Sequence, residues 1–198
     1  MSHEKQNAVL NFWFGEDPTQ QINESEKWFK KDDAFDAEIR SRFESWVQEA
    51  ARGGFDSWSK TARGSLALII LLDQFPRNIY RGQPASFEFD PHARRTAEIA
   101  LDHGFDQELS PIERSFMYLP LEHSEDLTAQ NRSLELYEKL AAHAPGNESK
   151  LLKGNLEFAK RHREIIERFG RFPHRNEILG RTSTQIETEF LKNPNSGF

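Results

Sequence analysis

The chain contains no cysteine, which removes disulfides, thiolate nucleophiles, zinc-thiolate sites and iron-sulfur clusters in one step. Long apolar runs are missing too. The longest, Leu66 to Leu72, falls far short of the roughly 18 residues that suggest a membrane span, so no membrane partner is expected. The formal charge of −6 is spread over both signs without a long run of either, so no nucleic-acid partner and no polybasic membrane patch are expected. The opening MSHEKQNAV has no basic segment followed by an apolar stretch and a small-residue cleavage site. No secretory signal is read there, and a cytoplasmic location is expected. Also absent are a glycine-rich phosphate loop, an HExxH pair and a GxSxG elbow.

The residues that are present point to helices. A length of 198 residues with 36% apolar content fits a single domain over residues 1–198. Chains of this size bury about 70% of their unfolded surface, enough for one core without metals. Apolar residues recur at helical spacing and sustained period-two alternation is lacking, so the fold class is predicted to be all-α. Val9, Leu10, Trp13 and Phe14 mark a first helix stopped near Gly15. Asp32 or Asp33 caps a second, whose stripe is Phe35, Ile39, Phe43, Trp46 and Ala50, closed by Gly53-Gly54. The third, from about Lys60 to Phe75, is apolar nearly all round and is expected at the centre. Asp90-Pro91 reads as an N-cap followed by proline at the first helical position, Ser110 to Glu113 as a capping box, and Pro120 as a break or kink. Further helices are expected from about Ser124 to His143, from about Glu148 to Phe169, and after Thr184.

Polar residues interrupt the apolar stripes. The last long helix gives Leu151, Asn155, Phe158, His162, Ile165 and Phe169, and the one before it His123, Leu127, Gln130, Leu134 and Tyr137. In the third helix the series Ala62, Leu66, Ile69 ends on Asp73, with Gln74 following Ile70. A buried polar group costs about 1 to 3 kcal/mol unless it finds a partner, so three inward polar stripes require an explanation. Two similar motifs lie beside them, LDQFPRN at Leu72 to Asn78 and FGRFPHRN at Phe169 to Asn176. Phenylalanine before proline is biased away from helical angles, so both Phe-Pro pairs are expected to stop a helix. Asn78 and Asn176 then read as N-caps of short segments after the turns, and the arginines, including Arg81, as partners of the preceding helix carbonyls. The functional reading is a pocket for a carboxylate or phosphate, because guanidinium geometry suits bidentate binding of those groups. Its candidate residues are Asp73, Gln74, Arg77, Asn78, Glu122, His123, Gln130, His162, Arg171, His174 and Arg175.

Other chemistry finds less support. His123-Ser124-Glu125 and His162-Arg163-Glu164 match the His-x-Glu part of a zinc deaminase signature that also needs two cysteines. A metal site would have to be assembled across helices from His123, His162, His174, Glu122 or Asp73, and neither metal nor cofactor is implied. Ser124 and His123 are adjacent and do not face each other on a helix, which speaks against a nucleophilic triad. Acid-base chemistry by Asp73, Glu122 and the histidines is the enzymatic alternative, and a purely structural scaffold is the third. Trp28 and Trp58 are read as satellite core rather than stacking platforms.

Three segments in fixed order carry a family resemblance: LDQFPRNIYRG, then ERSFMYLPLEHSEDL with Gln130 behind it, then RHREIIERFGRFPHRNEILGRTST. With VLNFWFG at Val9 and EFL at Glu189, the chain resembles the domain of unknown function 924 family over nearly its whole length. The acidic segment PASFEFD, Pro84 to Asp90, departs from the alanine-rich stretch expected there. The resemblance implies an all-α fold of stacked antiparallel helix pairs, similar to the tetratricopeptide-like superfamily. It supplies no substrate, cofactor or catalytic residue, and it leaves the oligomeric state open. The partner expected from the residues is an anionic small molecule or peptide group.

Overall fold

A computed structural model describes residues 2–194, 196 and 197, and among these every regular element is helical. The α-helices are α1 (Ser2–Phe14), α2 (Ser25–Phe29), α3 (Asp33–Ala51), α4 (Ala62–Ile69), α5 (Phe75–Ile79), α6 (Asp90–Asp102), α7 (Pro111–Glu122), α8 (Leu127–Ala142), α9 (Ser149–Phe169) and α10 (Gln185–Leu191), joined for the most part by short 3-10 turns. The caps form much as their residue types dictate. Asp32 accepts from the backbone N–H groups of Ala34 and Phe35, and Ser110 with Glu113 and Thr184 with Glu187 form complete capping boxes. No helix among the described residues is long and apolar enough to cross a membrane.

Helix α4 lies at the centre, packed against α1, α6 and α7. Ser65 through Leu72 are at most 1% exposed, as an all-round apolar helix requires. Its entry is tight: a Cβ on Gly64 would lie 2.2 Å from the Trp58 carbonyl oxygen, so no larger residue fits without moving backbone. An aromatic cluster joins the N-terminal helices to this centre, with Phe43–Phe75 centroids 4.7 Å apart and Trp28–Phe116 4.8 Å. Trp28 and Trp58 are buried, and the Trp28 indole donates to the Trp13 carbonyl at 2.8 Å.

Several sequence expectations are corrected by these elements. Phe75-Pro76 does not stop the helix. Residues Ile70–Gln74 widen into a π turn and the chain continues helically to Ile79, with Phe75 at φ −59°, ψ −37°. Proline has no N–H and its ring would press on the carbonyl four residues back, and the widened turn relieves both problems. Asn78 is therefore inside α5 and caps nothing. At the second motif Gly170, at φ +66°, ends α9 before Phe172-Pro173 is reached. Pro173 opens a 3-10 turn, and Asn176 closes that turn rather than starting a helix. Asp90 is the first residue of α6, with Phe89 at the cap position, and α7 runs through Pro120 to Glu122.

Two stripes are rotated from their expected positions. In α9 the buried face is Leu152, Ala159, His162, Ile165 and Ile166, while Phe158 is 47% exposed with Arg161 against its ring. In α8 the buried face is Ala129, Gln130, Ser133, Tyr137, Leu140 and Ala141, and Leu127 faces solvent. Small residues at the α8–α9 contact displace the bulky ones that hydrophobicity alone would have placed inside.

Candidate functional site

The π turn sets the floor of the site by directing Asp73 inward, where its side chain is fully buried. Three side chains meet this carboxylate: His123, with Nδ1 at 2.8 Å from Oδ1 and 3.1 Å from Oδ2, Arg77, with Nη1 at 3.2 Å, and Gln74 through its amide. Burial alone would raise the Asp73 carboxyl, but the Arg77 charge and then His123 hold it well below the usual carboxylate range. Asp73 is thus ionised, and it fixes the imidazole of His123 with Nδ1 as the protonated nitrogen. Burial, followed by the Arg77 charge, lowers the His123 pKa, so the ring is neutral at pH 7. His123 caps α7 and lines a cavity of about 600 Å³.

The two Phe-Pro motifs meet on that cavity. Arg77 donates to both Asp90 oxygens at 2.9 and 3.0 Å, a bidentate pair, and Arg175 reaches the same carboxylate at 3.4 Å. Both arginines also lie against Phe87, whose ring centre is 5.7 Å from the Arg77 Cζ and 4.5 Å from that of Arg175. Phe172 adds a second ring at 4.5 Å from Arg175, which is only 6% exposed. With the better Asp90 contacts taken by Arg77, no acceptor among the described residues meets the buried Arg175 Nε. Burial and the nearby Arg77 charge lower the Arg175 pKa to about 10. The wall is completed by Pro84, Pro91, Pro120, Leu179, Arg94 and Arg95. Its carboxylates are mostly answered: Glu98 by Arg94 at 2.8 Å, and Glu125 by both terminal nitrogens of Arg181 at 2.6 and 2.9 Å.

Behind His123 lies a second polar layer. His162 Nδ1 donates to the Phe158 carbonyl at 2.9 Å and sits 3.1 Å from Glu122 Oε1, while its ring centre is 6.2 Å from that of His123. Burial, with the Asp73 charge nearby, pushes the Glu122 carboxyl up to about 8, and burial followed by His123 lowers His162 well below its usual value. The pair is therefore neutral rather than ionic at pH 7. His174 is lowered to about 4 by burial and by its neighbour Arg175.

The sequence-predicted residues separate into two sets. Asp73, Gln74, Arg77, Glu122, His123, His162, His174 and Arg175 are brought into one connected cluster. Three others are not. Asn78 points the opposite way and donates to Asp36 at 2.8 Å, beside the Arg81–Asp36 pair. Gln130 is fully buried and donates to the Ser124 carbonyl at 2.8 Å and to that of Glu122, capping α7. Arg171 braces α10, donating to Glu187 at 2.6 and 2.8 Å and to the Thr182 carbonyl at 3.0 Å. Sequence reasoning missed Asp90, Phe87, Arg94 and Arg181. Asp90 was hidden because an aspartate before proline at a helix start is adequately explained as a cap. Phe87 lies in the PASFEFD segment, which departs from the family pattern and supplies one wall of the cavity. Among the described residues no group of three or more histidine, aspartate or glutamate side chains is arranged to hold a metal ion.

Known proteins place the chain in a family. The family described as "Bacterial protein of unknown function (DUF924)" matches residues 9–195. The chain belongs to this family. A solved structure titled as a protein of unknown function from Agrobacterium tumefaciens is similar to it at 40% identity, covering 97% of this chain and 99% of that one, with a TM-score of 0.84. No curated protein matches. This DUF924 member is all-α among its described residues, and His123, backed by Asp73, lines the cavity together with Arg175.

Proposed function

We propose that the protein binds an anionic group of a small molecule or peptide in the cavity between the PASFEFD segment, α6 and the turn at Pro173–Arg175, with the helices before and after it serving as a tetratricopeptide-like stack that holds this wall. The observation that carries the reading is Arg175. A guanidinium that is 6% exposed, flanked by two phenylalanines and lacking an acceptor for Nε is incompletely satisfied, and buried charges are otherwise paired. An incoming carboxylate or phosphate would supply the missing acceptor in a low-dielectric setting, where a charge-assisted bond is strong. The apolar lining from Pro84, Phe87, Pro91, Pro120 and Leu179 favours an organic body on that anion over a bare inorganic ion.

The test is a thermal-shift series with acetate, benzoate, phenylacetate and inorganic phosphate on the wild type and on Arg175→Met. Methionine keeps the contact with the two rings and removes the charge. A ligand at one hundred times its Kd stabilises by about 2.7 kcal/mol, so saturating organic anions are expected to raise the wild-type Tm and to leave Arg175→Met unmoved. Equal shifts in both proteins, or none in either, would place Arg175 in a scaffold role instead.

A further inference from the structure

His123 presents the cavity with a group that anion binding alone does not use. Its Nδ1 is engaged twice by the buried Asp73 carboxylate, at 2.8 and 3.1 Å, and a carboxylate can only accept, so that nitrogen carries the proton. In a neutral imidazole the other nitrogen, Nε2, must then be an acceptor. No donor among the described residues reaches it, although the side chain is 14% exposed and lines the cavity beside Ser124, Glu125 and Arg175. The ring is not free to turn and exchange the roles of its nitrogens, because Asp73 is itself held by Arg77 and Gln74. Neighbouring donors are already committed: Arg94 donates to Glu98 and to the Ser124 hydroxyl at 2.9 Å, and Arg181 to Glu125. The same cavity therefore offers an under-satisfied donor, Arg175, and an under-satisfied acceptor of fixed tautomer, His123.

We propose that the anion bound here carries a hydroxyl close to its charged end, and that His123 Nε2 accepts a hydrogen bond from that hydroxyl while Arg175 takes the anionic group. The substrate class is a hydroxy acid with an apolar body. This rests on the anion-binding reading above. It adds a specificity that a cationic pocket alone would lack, since a ligand without the hydroxyl forgoes the hydrogen bond to Nε2. Ser124 is a weaker candidate for the same role, because its hydroxyl already accepts from Arg94 and lies on the loop after α7.

The experiment compares two probes that differ by one hydroxyl, mandelate and phenylacetate, titrated calorimetrically into the full chain at pH 7.5. One hydrogen bond corresponds to a factor of about three to ten in Kd, so one mandelate enantiomer is expected to bind about three- to tenfold more tightly than phenylacetate. His123→Phe, which keeps a ring and removes the acceptor nitrogen, is expected to bring the two ligands level, and Arg175→Met to abolish both. The wild-type comparison needs no variant and decides the matter even if His123→Phe folds poorly. Equal affinity of both acids for the wild type would overturn the hydroxyl proposal and leave anion binding standing. A mandelate preference that survives in folded His123→Phe would overturn it as well. No binding of either acid to the wild type would remove the anion reading and this proposal together.

Discussion

Asp73 and Arg175 are both nearly inaccessible charged residues, yet their surroundings give them opposite energetic roles. Asp73 receives His123, Arg77 and Gln74 and is fully answered, so removing its charge leaves Arg77 and Arg175 sharing the Asp90 carboxylate and loosens the hold on the His123 ring. Asp73→Asn is expected to destabilise the protein by about 3 to 5 kcal/mol in urea unfolding, the usual cost of removing one member of a buried ion pair. Arg175 is incompletely answered, so Arg175→Met is expected to change stability by less than about 1 kcal/mol or to increase it, because a well-packed apolar substitute often equals a buried charge. A loss as large as that of Asp73→Asn would make Arg175 a structural residue. Glu122 gives a third outcome. Its folded-state pKa of about 8 lies above the ordinary 4.5, so its contribution to stability is complete below about 4.5 and is lost as pH rises through 8. The lowered histidines act in the other direction, withdrawing stability only as pH falls below 6.5. Between pH 6.5 and 8 the decline therefore belongs to Glu122, and Glu122→Gln is expected to flatten it. An unchanged slope in the variant would contradict a protonated Glu122.

At the scale of the helices, the caps and the central apolar helix were legible because each is set by residues next to one another. Asp32, the Ser110–Glu113 and Thr184–Glu187 boxes, and LALIILL all act as their local chemistry requires. The π turn was not legible. The bias of phenylalanine before proline against helix is outweighed here by full burial on every side of Leu71, Leu72 and Phe75, which keeps the backbone hydrogen-bonded as helix. The stripes of α8 and α9 were misplaced for a similar reason, since Ala129, Ser133 and Ala159 are inward for their small size, which periodicity of large apolar residues does not register. The C-terminal helix shows how a local tie acts. Arg171 holds the Glu187 carboxyl down at about 2, and the same carboxylate accepts from the Thr184 backbone. Arg171→Ala is expected to speed hydrogen exchange across residues 185–191 while exchange in α4 stays at the rate of global unfolding. Faster exchange in α4 would mean that Arg171 supports the core rather than one terminal helix.

Across the whole molecule, the doubled Phe-Pro motif turns out to be a convergence of two arginines rather than a repeat of one helix stop. Arg77 leaves a π turn in the middle of a helix and Arg175 leaves a 3-10 turn after one, and they arrive at the same Asp90 and the same Phe87. The polar residues that mark this convergence could be recognised in the chain from their intrusion on apolar stripes. Their separation into a cavity set and three structural residues could not, because Asn78, Gln130 and Arg171 obtain their partners from Asp36, the end of α7 and Glu187, at distances in sequence that no periodicity reports. The membership of the chain in DUF924 and its likeness to the Agrobacterium structure extend the fold to a relative without adding a function. The central claim is that Arg175 is the anion-binding group of this cavity. It is tested most directly by nitrogen-15 NMR of the arginine side chains during titration with phenylacetate, the Arg175 Nε signal being assigned by its absence in Arg175→Met. That signal is expected to move saturably while the Arg171 signal stays in place. An Arg175 signal that stays fixed, or one that moves only in step with every other arginine as salt is added, would contradict the claim.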